Sequence, residues 1–368
     1  MGVGGWDRAP ETRVPESTLR QWSERLSDRI RAALDAGDRE LARRLALEGD
    51  GEARTLAKEY TLMYKGLGIT VRILLGLLGD LFGRGAAPPE AERALTDLLA
   101  RFRADMIAAL RRACPDDADA AAVGEAAAAG VAGRLRMELD ATAALLTEAQ
   151  DLFTREQARI ADQAVQAMEA GDAGRARALV DRKEREQYLP LHDRLVRLMA
   201  EVFGFVLARF GPAELQRFHR ATAEGQRAGF AQWERLTPAE FARATAFLLK
   251  QHMGRLEIHE DGEKFTMVQT PCGSGGRLRL AGAYAGSGAL PFVDGPGALT
   301  LGQARLPVYC SHCPIWNGVA AVEWFGHPQW VFEEAARPDG SCTIHIYKRP
   351  DRIPARHYRQ LGLEGGHI

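Results

Sequence analysis

An excess of charge of either sign is the first thing this sequence lacks. Its 48 lysines and arginines meet 49 aspartates and glutamates, a formal net charge of −1, so no global field draws it to nucleic acid or to an anionic membrane. A secretory leader is the second absence. The opening run Met1-Gly2-Val3-Gly4-Gly5-Trp6 has neither a basic nor an apolar region, and Trp6 stands where myristoylation wants Ser or Thr. The most apolar stretch, Ile69 to Phe82, carries Arg72 and Asp80 and reads as too short to cross a bilayer. Cysteine is scarce as well: there are five, and four of them fall after Gln251, with seven of the nine histidines. These absences point to a cytoplasmic protein with reduced thiols, in which clustered soft ligands mean a metal site or a reactive thiol rather than disulfides.

What is present is helix first. A chain of 368 residues exceeds one ordinary core, and its 46% hydrophobic and 26% charged content is that of a globular protein. From Glu16 to about Gly254 apolar residues recur at helical spacing, as in Leu19, Trp22, Leu26, Ile30 and Ala33, with Gly37 as a stop. Two segments are alike. Ala33–Arg43 matches Ala167–Arg177 at an offset of 134, while Leu81-Phe82-Gly83 matches Arg209-Phe210-Gly211 at an offset of 128, so the first copy carries about six more residues. Two copies suit a duplicated helical bundle better than a solenoid. The expected organisation is a disordered N-terminus over 1–15, then a duplicated helical region over 16–236, with copies at about 16–115 and 150–225. The alanine-rich Asp117 to Gly133 links the copies as a long helix or a partly flexible segment.

His192 breaks the likeness, since the ungapped first copy has Lys58-Glu59 where His192-Asp193 stands. On a helix it shares a face with Tyr188, Leu195, Val196 and Met199 and should point inward. It is either a half-buried histidine bonded to backbone or Asp193, or a catalytic base.

Thr237-Pro238-Ala239-Glu240 is a capping box that opens a helix of about four turns, ending near Gly254. Beyond it the period changes to that of strands. Leu256–Val268 reads as a hairpin turning at Asp261-Gly262. Gly273 to Gly297, with eight glycines, reads as loop. Strands are expected around Val319–Phe325, at Gln329–Phe332 and at Cys342–Lys348, the last with Cys342, Ile344 and Ile346 on one face. The fold class is therefore α+β: the helical bundle, a smaller α+β domain over 237–350 with a thiolate-rich metal site, and a tail over 351–368.

Cys310-x-x-Cys313 has knuckle spacing, which lets two thiolates grip one tetrahedral ion. The same spacing serves dithiol chemistry, and Pro314 would permit the helix start that chemistry wants. Cys342 and Cys272 are the obvious further ligands, with Glu333, Glu334, His312 and His327 as alternatives. Pro271-Cys272-Gly273-Ser274-Gly275-Gly276-Arg277 is the most distinctive string. Gly273, Gly275 and Gly276, with Ser274, could turn backbone amides toward an anion, and Arg277 could pair with a carboxylate or phosphate. Four residues separate Cys272 from Arg277 where the phosphatase loop has five, and the Gly-Lys-Ser/Thr ending of a P-loop is missing. Cys272 is a metal ligand, a nucleophile beside an oxyanion loop, or a small buried thiol. Trp316, Trp324 and Trp330 most simply build a core around the metal domain; a pocket for a planar ligand is the sharper alternative.

The run Cys310 … Val322-Glu-Trp-Phe-Gly-His-Pro … Val331-Phe-Glu333 … Gly340-Ser-Cys342-Thr-Ile-His-Ile resembles the C-terminal half of the 4-vinyl reductase domain family. The ATC (2-aminothiazoline carboxylate) hydrolase-like proteins are similar too, with a helical first part and a cysteine-bearing end. The first resemblance implies a small zinc site in an α+β domain that binds small molecules, with Cys310, Glu333 and Cys342 as ligands. The chain departs from that family at Ala336, where the family has Cys; Cys313 or Cys272 could fill the vacancy.

These readings lead to a metal-dependent enzyme, zinc first and iron second, acting on a small polar or acidic molecule. A hydrolase or lyase of specialised metabolism is expected. Cys310, Cys313, Cys342 and Cys272 hold the metal, or Cys272 is the nucleophile; the glycine loop and Arg277 orient the substrate, and His192, His312 or Glu333 moves the proton. The alternative is a ligand-binding sensor or scaffold protein with structural zinc, and the third reading is a dithiol oxidoreductase using Cys310 and Cys313. The expected partner is a small molecule, not nucleic acid or membrane, and a homodimer is one expectation for assembly.

Overall fold

A computed structural model describes residues 13–49, 54–84, 88–123 and 135–363. Residues 1–12 of the expected disordered N-terminus, 124–134 of the alanine-rich link and 364–368 of the expected tail lie outside them. The protein is mostly helical with small sheets near its C-terminal end, an α+β architecture. It forms two compact units, one of residues 24–198 and one of residues 1–23 with 199–368.

Helix α1 (Glu16–Ser23) belongs to the second unit. The single stripe expected from Leu19 to Ala33 is thus two helices, because Arg25 is extended (φ −77°, ψ 152°) and starts α2 (Leu26–Asp35) anew. Gly37 (φ +74°) and Asp38 then turn the chain into α3 (Arg39–Glu48), with the Asp38 carboxylate accepting from the Leu41 amide at 2.9 Å. After a connection through Tyr60 come α4 (Thr61–Gly83), α5 (Pro89–Ala113), the short α6 (Ala118–Ala122) and α7 (Leu135–Glu169). The same turn recurs at Gly171 (φ +79°) and Asp172, whose carboxylate accepts from Arg175 at 2.9 Å to open α8 (Ala173–Asp181). Here no irregular connection follows. A π-helical stretch, Arg182–Tyr188, runs directly into α9 (Leu189–Glu224). The six residues by which the two offsets differ thus fall between α3 and α4. Gly83 ends α4, and Gly211 (φ +84°) before Pro212 kinks α9, so the two matching Phe-Gly strings both mark breaks.

α2 and α3 share one apolar core with α7 and α8, through Ile30, Leu45, Ala164, Met168 and Val180. α4 spans 23 residues with a mean hydropathy of 1.6 in its most apolar window, so it is long and apolar enough to cross a membrane, which corrects the shorter reading. Met63, Tyr64, Leu67, Val71, Leu74 and Leu78 along it are buried, and the Tyr64 ring meets Phe153 of α7 at 4.3 Å between centroids.

In the second unit α10 (Arg227–Trp233) precedes α11 (Pro238–Gln251), which begins at the expected capping box: Glu240 N donates to Thr237 Oγ1 at 3.3 Å and Thr237 N to Glu240 Oε2 at 2.8 Å. Strands β1 (Leu256–Glu260) and β2 (Lys264–Gln269) form the expected hairpin at Asp261-Gly262. The glycine-rich stretch is not all loop. It contains α12 (Gly275–Leu280) and β3 (Phe292–Asp294), and β3 pairs with β4 (Arg305–Pro307). The strand expected at Val319–Phe325 is also a correction: a π turn, Ile315–Val319, leads into α13 (Ala320–Phe325), stopped by Gly326 at φ +85°. β5 (Val331–Glu334) and β6 (Cys342–Tyr347) complete a four-stranded antiparallel sheet of order β1-β2-β6-β5. The segment expected as a tail folds into a 3₁₀ turn and α14 (Ala355–Gln360); Ile353 and Tyr358 are buried with Val322, Val331 and Tyr347.

Candidate functional site: a cluster of four thiols

Strand register brings the first two cysteines together. In the β2–β6 ladder Gln269 faces Cys342, three residues before Cys272, and the Cys272 amide donates to Gly340 O at 2.9 Å. The other two arrive from β4, whose end runs into a 3₁₀ turn (Val308–Ser311) that holds Cys310 and then a helical turn (His312–Pro314) that holds Cys313. Gly275 lets these strings close up. A Cβ there would sit 2.8 Å from Cys310 Sγ, and one on Gly276 would sit 2.3 Å from Gly340 O.

The four thiols share one electrostatic neighbourhood. Burial first, then the facing thiols, pushes Cys313 well above the ordinary thiol range. Burial pushes Cys310 up to about 12, against the pull of Arg279, and raises Cys342, with Cys272 adding to both. Arg279 is the cation of the cluster: its Nη1 donates to Cys310 Sγ at 3.3 Å, while its Nη2 donates to Arg337 O at 3.3 Å. The Ala336 amide, presented at φ +56°, donates to the Cys342 sulfur. Cys313 Sγ lies 3.4 Å from His312 Nε2, and His312 Nδ1 is bonded to Tyr309 O at 2.5 Å. Burial pushes His312 down to about 4, so its neutral ring meets a neutral thiol. All five cysteines are free thiols. As they stand, no three Cys, His, Asp or Glu side chains among the described residues are arranged so that they could hold a metal ion.

Other expected residues lie elsewhere. Arg277 donates to His252 O at 2.5 Å. The glycines serve close approach more than anion binding: a Cβ on Gly273 would meet His252 O at 2.2 Å, and Gly275 and Gly276 are inside α12. Ser274 bonds the Tyr309 hydroxyl and lies 3.7 Å from Cys272 Sγ. Glu333 is held by Arg356, with His345 and His357 beside it, so its polar neighbours include no thiol. Glu334 pairs with Arg337 at 2.6 Å, and His327 with Glu234 at 3.2 Å. His192, in the helical unit, is fully buried against the Tyr188 ring with Nδ1 2.8 Å from Asp193 Oδ1. The tryptophans take separate places: Trp316 buried against His312, Trp330 buried and stacked on Trp233, and Trp324 half-buried against Phe230.

Sequence reasoning missed Arg279 and the Ala336 amide. Arg279 carried a signal only as the second arginine of Arg277-Leu-Arg279, and a backbone donor carries none. No protein-family model matches the chain, and no curated protein or solved structure does either.

Proposed function

We propose that Cys272, Cys310, Cys313 and Cys342 hold one thiophilic divalent ion, zinc first and iron second, and that this centre staples a small-molecule-binding domain in a sensor or scaffold role. The observation that carries the reading is that four half-buried thiols from three separate strings lie within one another's electrostatic reach, with Arg279 donating to one of them. Thiols whose pKa burial has raised stay protonated until a metal ion displaces the proton, so binding would lock the three strings together. The donors suit such an ion: Arg279 and the Ala336 amide each already support one sulfur. Four protein sulfurs would leave no open position, the coordination of a structural site. The enzyme reading instead needs Cys272 released from the metal as nucleophile, with a proton carrier beside it. Glu333 does not serve there, because Arg356 and two histidines engage it. The dithiol reading has the right local geometry, a pair following a strand at a helical turn. Its chemistry is opposed by thiol pKa values raised rather than lowered. We read the helical part as a duplicated bundle, supported by the twin Gly-Asp turns and by Tyr60 stacking on Tyr188, its partner at the offset of 128, at 4.3 Å.

The test is cobalt substitution of the reduced protein. One equivalent should give the intense near-ultraviolet band of thiolate ligation, lost in a Cys310→Ser, Cys313→Ser double variant and kept in Cys114→Ser. A protein that binds cobalt without that band overturns the four-thiol centre. If Cys272→Ser keeps the ion but loses turnover of a small acidic substrate, the enzyme reading replaces the scaffold one.

A further inference from the structure

Helix α4 of the helical unit presents an ordered stripe to solvent. Its exposed positions are Leu62, Lys65, Ile69, Gly76, Asp80 and Gly83, spaced three, four or seven residues apart, so they line one narrow face. Leu62 and Ile69 are 48% and 40% exposed. The stripe is symmetric about the helix midpoint, where Arg72 and Ile73 are half-buried. Turned end over end about that point, Leu62 falls on Gly83, Lys65 on Asp80 and Ile69 on Gly76. Large apolar side chains in one half thus match glycines in the other, and the two charges are opposite. Glycine destabilises a helix interior, yet a Cβ on Gly76 would meet nothing within 4 Å, so no described residue requires a glycine there. The glycine half also borders a groove of about 820 Å³ between α4 and α7, lined in part by Leu75, Gly79 and Leu139. Of the other charges at this groove, Arg136 and Asp140 pair with each other at 3.2 Å. Lys65 and Asp80 have no ion-pair partner among the described residues.

We propose that α4 is the interface with a second copy of this chain, an antiparallel helix pair whose two-fold axis passes beside Arg72 and Ile73. In a two-fold contact one surface meets itself, so it must be self-complementary. Leu62 and Ile69 of each copy then pack over Gly83 and Gly76 of the other, beside the groove. Two Lys65–Asp80 pairs, one from each direction, fix the register and the antiparallel sense. Spacing of three and four residues is what lets two helices pack along their length, and glycine lets them approach closely. A parallel pair would instead set Lys65 on Lys65 and Asp80 on Asp80. The most apolar window of α4 is only 44% buried within the chain, and the second copy covers the remaining face. A bilayer suits that face less well, because Lys65 and Asp80 lie in the stripe itself and would have to enter hydrocarbon. The interface draws on no residue of the thiol cluster.

Sedimentation velocity of the full chain tests the pairing. The wild type should pass from monomer to dimer within about 1–100 µM, as a contact of modest area does. Lys65→Glu faces acid with acid, and Asp80→Lys faces base with base. Each change should weaken the dimer by about tenfold, because the symmetry repeats each exposed pair. An equimolar mixture of these two variants should dimerise to within about threefold of the wild type, since both pairs are then of opposite sign. Gly76→Leu should prevent pairing without lowering the melting temperature, because that position is open within the chain and leucine is the better helix former. A wild type that stays monomeric over this range overturns the interface, and if it also floats with phosphatidylcholine vesicles the stripe belongs to a membrane. A dimer indifferent to the single variants, or a mixture that stays monomeric, overturns it as well.

Discussion

The helical unit buries a cluster of ionisable groups, the sheet-bearing unit half-buries another, and the two clusters are balanced in opposite ways. In the helical unit Lys183, fully buried on the π-helical stretch, lies 4.0 Å from Glu59 Oε2 and over the Tyr60 ring at 4.8 Å. Glu184 is bonded by Arg31 and by the Tyr60 hydroxyl, and Ser27 Oγ donates to Glu59 Oε2 at 2.5 Å. Every charge there has an opposite. Burial still pulls Lys183 down to about 8 and raises Glu59, but each is opposed by its partner. The thiol cluster has four groups of one kind, mutually repelling once ionised, with Arg279 beside them. The first cluster is complete as folded. On the proposed reading the second is completed by an incoming cation, and that asymmetry, more than any motif, singles it out as the candidate site.

The largest effect should come from breaking the balanced cluster. Lys183→Met leaves Glu59 buried without its facing cation, and removing one member of a buried pair costs about 3–5 kcal/mol. Urea unfolding measures it, and a Lys183→Met, Glu59→Leu double variant should recover most of the loss. A single-variant cost under about 1 kcal/mol would mean that water reaches the cluster, and the comparison would fail.

The two clusters were not equally legible. The thiols stand out in sequence because cysteine is rare and local spacing such as Cys310-x-x-Cys313 is read directly. Their joining by the Gln269–Cys342 register is a long-range fact that no local pattern holds. The charged cluster was invisible, since Glu59, Lys183 and Glu184 look like any solvated helix residues until the π-helical stretch turns the last two inward. Capping boxes, Gly-Asp turns and the β1–β2 hairpin were readable because a few adjacent residues fix them. Val319–Phe325 was misread as a strand because Val319 and Val322 favour strands in isolation, whereas burial on a short helix decides their state. Glu333 was placed with the thiols as an alternative ligand and through the resemblance, whereas its carboxylate lies 3.6 Å from His345 across the β5–β6 ladder, at the register shift.

A middle-sized effect sharpens the claim that the thiol cluster depends on close approach. Gly276→Ala sets a methyl against Gly340 O and Cys272 Cβ, where backbone must move, an overpacking cost of about 1–3 kcal/mol. Gly262→Ala, with nothing within 4 Å, should stay within about 0.5 kcal/mol. Thermal unfolding of the two variants should differ accordingly, with cobalt uptake at the thiols weakened only in the first. Equal melting temperatures would show that the strings meet more loosely than the glycines indicate.

The smallest effect is a slope. His219 is fully buried, with Nε2 2.9 Å from Ser311 Oγ, and Ser311 gives its own proton to Val308 O at 2.7 Å. The imidazole therefore donates through Nε2 and stays neutral, held well below 6.5 by burial first and by nearby His312 second. In the unfolded chain the same ring binds a proton as pH falls through 6.5, so below that pH the unfolded state carries the extra proton. Stability must then decline on acidification, by about 1.4 kcal/mol per pH unit for this one group. His219→Gln should flatten the stability profile between pH 6.5 and 5 by that amount. Lys183→Met should leave the slope there unchanged, because Lys183 titrates near 8 in the folded state. If His219→Gln leaves the slope untouched, the ring is protonated in the fold, and the sheet-bearing unit holds a buried positive charge that could help ionise a thiol before any metal arrives.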